Sequence, residues 1–151
     1  MNREMIIEMD TRNQVDNYVT DYLDKQGIKW IRNKLYSGDV KLLNDTKVII
    51  DLKKDINEIA SNLCRTTEHE RLKREVQRAK DIGCERFIFM VKVKDITCVD
   101  EIINWKSKYS KVKPETLIKI IKTFSERYGV EFMFYKKNEI APKIIELLTN
   151  N

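Results

Sequence analysis

Punctuation is scarce in this chain, with four glycines and two prolines among 151 residues. Few breakers imply long elements and short loops, and they argue against Gly/Pro-rich linkers between several domains. The single histidine, His69, and the three scattered cysteines, Cys64, Cys84 and Cys98, include no C-x-x-C pair. The common zinc ligand sets are therefore missing, and the cysteines are expected as buried or half-buried free thiols. No apolar run approaches the roughly 20 residues of a membrane span. The opening stretch MNREMIIEMD is too acidic, and its apolar part too short, for a secretory signal. The expectation is a cytoplasmic protein with no membrane partner.

What the chain has is charge. Charged residues make up 35% and hydrophobic residues 42% of its 18.0 kDa, which suits one globular domain over 1–151 with a core of its own. A formal charge of +5 and a pI near 9.0 are compatible with a polyanionic partner without requiring one. There are no internal repeats and no low-complexity tracts.

Periodicity sorts the elements. Apolar runs predict strands at 4–10, 28–35 and 86–91, and again at 130–135. Val15, Tyr18, Val19, Tyr22 and Leu23 make one helical stripe, ended by Gly27. DINEIASNL (55–63) forms a helix with Asp55 suited to its N-terminal turn, and EHERLKREVQRAKDIG (68–83) forms another. CVDEIINW (98–105) reads as a short helix followed by a basic loop. Pro114 opens a helix closed by Gly129, and NEIAPKIIELL (138–148) is a last helix. The strands at 28–35, 39–43 and 47–53 are expected to form a three-strand meander. The fold class is α/β, with a mixed central sheet and helices on both faces.

GDVKLLNDTKVIIDLKK (38–54) raises the chemical question, because a hairpin ends in Asp39, Asp51 and Lys53. With NDT (44–46) as the loop, Leu43 faces Lys47, and counting outward sets Asp39 opposite Asp51. Opposed residues of an antiparallel pair have Cβ atoms about 4.5–5.5 Å apart, so two carboxylates there repel unless a cation lies between them. Lys53 leaves the same face two residues on. Hard divalent cations favour such oxygens and act on phosphates. The alternative is a solvent face of mixed charge, and a one-residue slip would undo the pairing.

The order G-D, apolar strand, D-x-K resembles the PD-(D/E)xK nuclease superfamily, and within it the XPF-type endonuclease domain. DTRN (10–13) is similar to that family's first acidic motif, GDV (38–40) to its G-D-Y, and DLKKDINEIASNL (51–63) to its D-x-K and helix. HERLKREVQRAKDIGCERFIFMV (69–91) looks like the family's next helix and strand, and GVEFMFYKKNEIAPKIIELL (129–148) like the closing elements of single-domain phage and prophage versions. The resemblance implies a restriction-endonuclease-like core and a magnesium-dependent DNA endonuclease, with manganese able to substitute. It also implies a preference for branched or structured DNA in phage replication, recombination or repair, and a homodimer.

Carried over by position, Asp39 and Asp51 are metal ligands and Lys53 the catalytic lysine. Asp10 matches the first acidic position, as a further ligand or as a turn cap. Glu75 matches the helix glutamate, as a ligand or as a helical partner of Arg71 or Arg78. Three departures stand out: Asn13 replaces a glutamate, Asp51 a longer glutamate, and Lys92 stands near another acidic position. No tandem helix-hairpin-helix module follows within these residues. A catalytically silent DNA- or partner-binding module of the same fold is the rival reading.

Arg12, Lys54, Arg71, Arg74, Lys106, Lys108 and Lys111 are the candidate DNA contacts, with Trp105 and Tyr109 interleaved as stacking surfaces. Such charge runs also occur as plain solvated faces. His69 stands either near the scissile phosphate or at an uninvolved surface. No base-reading module is evident, which favours recognition of DNA shape over sequence.

Overall fold

The computed structural model describes residues 5–12, 16–106 and 111–150. Asn13, Val15, Lys108 and Tyr109 lie outside the described residues. The elements run β1 (Ile6–Asp10), α1 (Asn17–Lys25), β2 (Lys29–Asn33), β3 (Val40–Leu42), β4 (Val48–Lys53), α2 (Ile56–Cys64), α3 (Thr66–Asp81) and β5 (Arg86–Lys92). A 3₁₀ turn (Val99–Asn104), α4 (Pro114–Tyr128), β6 (Glu131–Tyr135) and α5 (Lys137–Thr149) complete the chain.

All six strands join one sheet in the order β2-β1-β3-β4-β5-β6. It is mixed: β1 pairs antiparallel with β3 and β3 with β4, while the other neighbours are parallel. The expected meander is thereby corrected. β2 does not pair with β3; β1 lies between them, hydrogen-bonded to both. The physical reason is burial. IIEMD in β1 is buried from its second residue on, as a central strand requires, whereas KWIRN in β2 alternates exposed and half-buried as an edge strand does.

Strand alternation divides the core between two faces. Ile49, Phe87, Phe89 and Val91 meet Ile59, Leu72, Val76, Leu117 and Phe124 from α2, α3 and α4. Ile7, Met9, Ile50, Ile88 and Met90 meet Val19, Leu23, Ile140 and Ile144 from α1 and α5. Phe89 stacks on Phe132 at 4.9 Å and meets Phe87 edge-on at the same separation. Asp55 caps α2 by accepting from the Glu58 N–H at 2.8 Å, and Gly129 ends α4 with φ +64°.

The cysteines form no disulfide, but only Cys84 is half-buried; Cys64 and Cys98 are exposed. Cys64 ends α2 and Cys98 precedes the 3₁₀ turn, so both fall outside the apolar stripes that fill the core. No described helix is long and apolar enough to cross a membrane.

Candidate active site

The hairpin register is the one the charge pattern implied. Val40 pairs with Ile50, and the Asp39 N–H donates to the Ile50 carbonyl at 2.9 Å, which leaves Asp39 facing Asp51. The turn closes through Asn44 at φ +62°, a left-handed conformation that asparagine tolerates. At the other end, Gly38 adopts φ +74°, and a Cβ there would lie 2.3 Å from Ile49 Cγ2. Only glycine lets the chain press this closely on β4 before it delivers Asp39.

The pair is deeply placed. Asp51 is buried, and Asp39 accepts from the Leu52 N–H at 2.7 Å through Oδ2. Burial, then the charge of Asp51, pushes the Asp39 carboxyl far above the usual carboxylate range, against the pull of that N–H. Lys53 stands on the same face, its Nζ 3.0 Å from Asp51 Oδ2 and 5.7 Å from the centre of the Phe89 ring. The Lys53–Asp51 contact is Coulombic, because Oδ2 receives no well-directed hydrogen bond although it is buried. Burial lowers the lysine's pKa, but the charge of Asp51, reinforced by Glu58 and Glu75, outweighs it, and the net shift is upward.

Glu75 reaches this centre from α3. Its Oε1 accepts from the Gly38 N–H at 3.1 Å, and its carbonyl takes the Ser37 hydroxyl at 2.8 Å, so it also braces the turn before Asp39. Burial and then the Asp51 charge raise its pKa to about 7, opposed by Lys53. Glu75 thus stands by the carboxylate pair, and Arg78 is one of the cations that temper it.

Asp10 serves differently. Oδ2 accepts from the backbone N and Nε of Arg12, and Oδ1 from Arg12 Nη2 and the Leu35 N–H. Four donors fill the lone-pair directions of a carboxylate. Arg12 Nη2 also donates to the Leu35 carbonyl at 2.9 Å, tying the end of β1 to the loop that leads to Gly38. Asp10 lines the pocket but is spent on holding Arg12.

The pocket is a cleft of about 590 Å³. Of the candidate DNA contacts, Arg12, Lys54 and Arg71 border it, and Lys106 borders the adjoining groove. Arg74 and Lys111 are exposed and line neither. His69 lies apart; its Nδ1 is 2.8 Å from the Leu63 carbonyl and its ring packs edge-on against Phe124. Sequence reasoning did not place Tyr18, Glu58 or Asn62 at the cleft, nor Arg78, whose Nε donates to the Tyr36 carbonyl at 3.0 Å. The spacing of Arg71, Glu75 and Arg78 along one face of α3 was the available signal for Arg78.

Among the described residues, no three or more His, Cys, Asp or Glu side chains form a ready-made metal cage. The donors that do converge are hard carboxylate oxygens, one of them buried without a directed partner, on two groups that repel each other. That chemistry fits a divalent cation that keeps several of its waters.

Comparison with known proteins decides the lineage. The family model for the ERCC4 domain matches residues 9–145. The chain belongs to the ERCC4 domain family. The ERCC4 domain here shares its fold with XPF from Aeropyrum pernix, at TM-score 0.69 and 18% identity over 95% of this chain. It matches XPF from Aeropyrum pernix in complex with DNA at TM-score 0.68 and 17% identity, again over 95% of this chain. In each case the match spans 63% of the solved chain. No curated protein sequence matches the chain. The ERCC4 assignment and the shared fold agree with the XPF-type domain that the sequence resembles.

Proposed function

We propose that this ERCC4 domain is a divalent-metal-dependent DNA endonuclease that selects branched or otherwise structured DNA. The observation that carries the reading is the facing pair of half-buried Asp39 and buried Asp51, with Lys53 Nζ 3.0 Å from Asp51. Two facing carboxylates cost stability in a fold that has no structural need of them. An XPF solved with DNA has the same fold, which supports nucleic acid as the substrate.

Asp39 and Asp51 would hold magnesium or manganese, with Glu75 beside them. Bound there, the cation supplies a water of lowered pKa and neutralises charge on the phosphoryl oxygens. Lys53 stays cationic at neutral pH and stabilises the negative charge that builds as the phosphodiester is attacked. Asp10 orients Arg12 toward the phosphate that the cleft admits, and Lys54 and Arg71 neutralise its neighbours. A second copy of the chain would widen the surface that grips a branch. A role in DNA replication, recombination or repair fits such a substrate.

The test is cleavage of a panel of duplex, flap, fork and Holliday-junction DNA in magnesium and in manganese. Lys53→Ala and Asp51→Ala are expected to cut about 100-fold or more slowly while still binding. Equal rates in wild type and Asp51→Ala would refute the mechanism. Tight binding with no cutting by wild type would favour the silent module instead.

A further inference from the structure

The cleft does not end at the carboxylates. It shares Tyr18, Lys54 and Lys92 with a larger open groove of about 1280 Å³ that crosses the carboxyl ends of β4, β5 and β6. The connection leaving β5 leads to α4 on one face of the sheet, and that leaving β6 leads to α5 on the other. Open sheets leave a ligand crevice where connections part in this way. The volume exceeds the roughly 300–1,000 Å³ of an ordinary small-molecule site.

Its chemistry is one-sided. Seven lysines line it against three aspartates, and one of those, Asp55, is occupied in capping α2. Lys54, Lys94 and Lys106 are exposed, and none forms an ion pair with a described residue. Trp105 is half-buried, packed against the core while it also lines the groove. Lys92 and Lys137 hold Nζ 5.3 and 5.8 Å from the Tyr18 ring centre, so cations and an aromatic surface alternate along the wall. Unneutralised lysines beside aromatic faces bind a single-stranded nucleic acid, whose phosphates and bare bases are both accessible.

We propose that this groove receives an unpaired arm of the DNA substrate, leading away from the scissile phosphate, with its phosphates on Lys54, Lys94 and Lys106 and a base against Trp105. The proposal rests on the nuclease reading for the direction of the strand, and on the groove alone for its binding chemistry. It supplies a physical basis for selecting branched DNA: a blunt duplex leaves the groove empty.

The experiment measures binding of the full chain, in EDTA, to a fluorescein-labelled duplex carrying a single-stranded arm and to the same duplex made blunt. The arm is expected to tighten binding about tenfold, as one stacked base and a few phosphates would. Lys94→Glu combined with Lys106→Glu is expected to remove that gain, leave the blunt duplex unaffected, and reduce the salt slope by about 1.4 for two lost contacts. Trp30→Phe leaves Trp105 as the sole tryptophan of two, and its emission is expected to be quenched by the armed duplex only. Equal binding of armed and blunt DNA, equal weakening of both, or an unquenched Trp105 overturns the proposal. Displacement of the arm by micromolar ATP also overturns it, in favour of a nucleotide pocket. Cleavage is scored separately in magnesium: arm-dependent binding without any cutting refutes the nuclease reading and leaves the groove, and cutting with equal binding does the reverse.

Discussion

Asp39 and Asp51 are placed where the sheet holds them together whether or not anything separates their charges. Asp39 is the more informative to replace, because Asp51 keeps Lys53 as a counter-ion while Asp39 is held by the Leu52 N–H, with no ion pair of its own among the described residues. An asparagine at 39 can still accept that N–H, and it removes the cost of protonating or burying a carboxylate beside Asp51. Asp39→Asn is therefore expected to raise metal-free stability at neutral pH by about 1 kcal/mol or more while abolishing cleavage. Urea denaturation in EDTA checks it; a less stable Asp39→Asn protein would show that the pair is not repulsive. The two aspartates and Lys53 were legible in the sequence because a hairpin of assumed loop length turns spacing into geometry. The saturation of Asp10 was not legible, since two of its four hydrogen bonds come from the Arg12 side chain and one from Leu35, 25 residues away.

Single elements position the site through their ends. The turn before β3 presses Gly38 on Ile49 and is braced from α3 by Glu75, so local backbone and distant helix fix the same aspartate. Gly38→Ala is expected to cost about 1–3 kcal/mol, since it adds a Cβ against buried Ile49 in a left-handed conformation, and to lower activity further by displacing Asp39. Thermal melting and cleavage rates read the two effects separately. Individual helices and strands were visible from periodicity, with Asp55, Pro114 and Gly129 marking boundaries as their chemistry requires. The sheet order was not. Pairing of β1 with both β2 and β3 depends on contacts between distant segments, and the only hint was that IIEM is more apolar than KWIRN.

Across the whole molecule, several carboxyl groups are held more protonated than they would be in the unfolded chain. Glu75 is raised to about 7, and Asp39 and Glu58 are raised as well, each by burial first. A raised carboxyl pKa means that the native state binds more protons, so its contribution is full below the unfolded value and is lost as pH climbs through the window toward the folded value. Glu8, lowered by Lys41 and Asn33 against burial, acts in the opposite sense, but only in more acidic solution. Without divalent metal, Tm is expected to fall between about pH 5 and about pH 8. Millimolar magnesium is expected to flatten that fall, because a cation bound only by the native state stabilises it and binds best to deprotonated carboxylates. Scanning calorimetry across pH, with EDTA or magnesium, checks both; a magnesium effect that shrinks as pH rises would contradict the shared origin.

The central position of β1 has a consequence for how the chain comes into being. β1 precedes both of its neighbours in the chain, and they are 20 or more residues downstream. During synthesis its apolar residues must wait for partners, and the three parallel pairings each span a helical connection before they can close. Such long-range pairing slows folding and leaves strand edges exposed while it proceeds. A strand that must wait for distant partners is thus the one that anchors Asp10 and Arg12 beside the cleft.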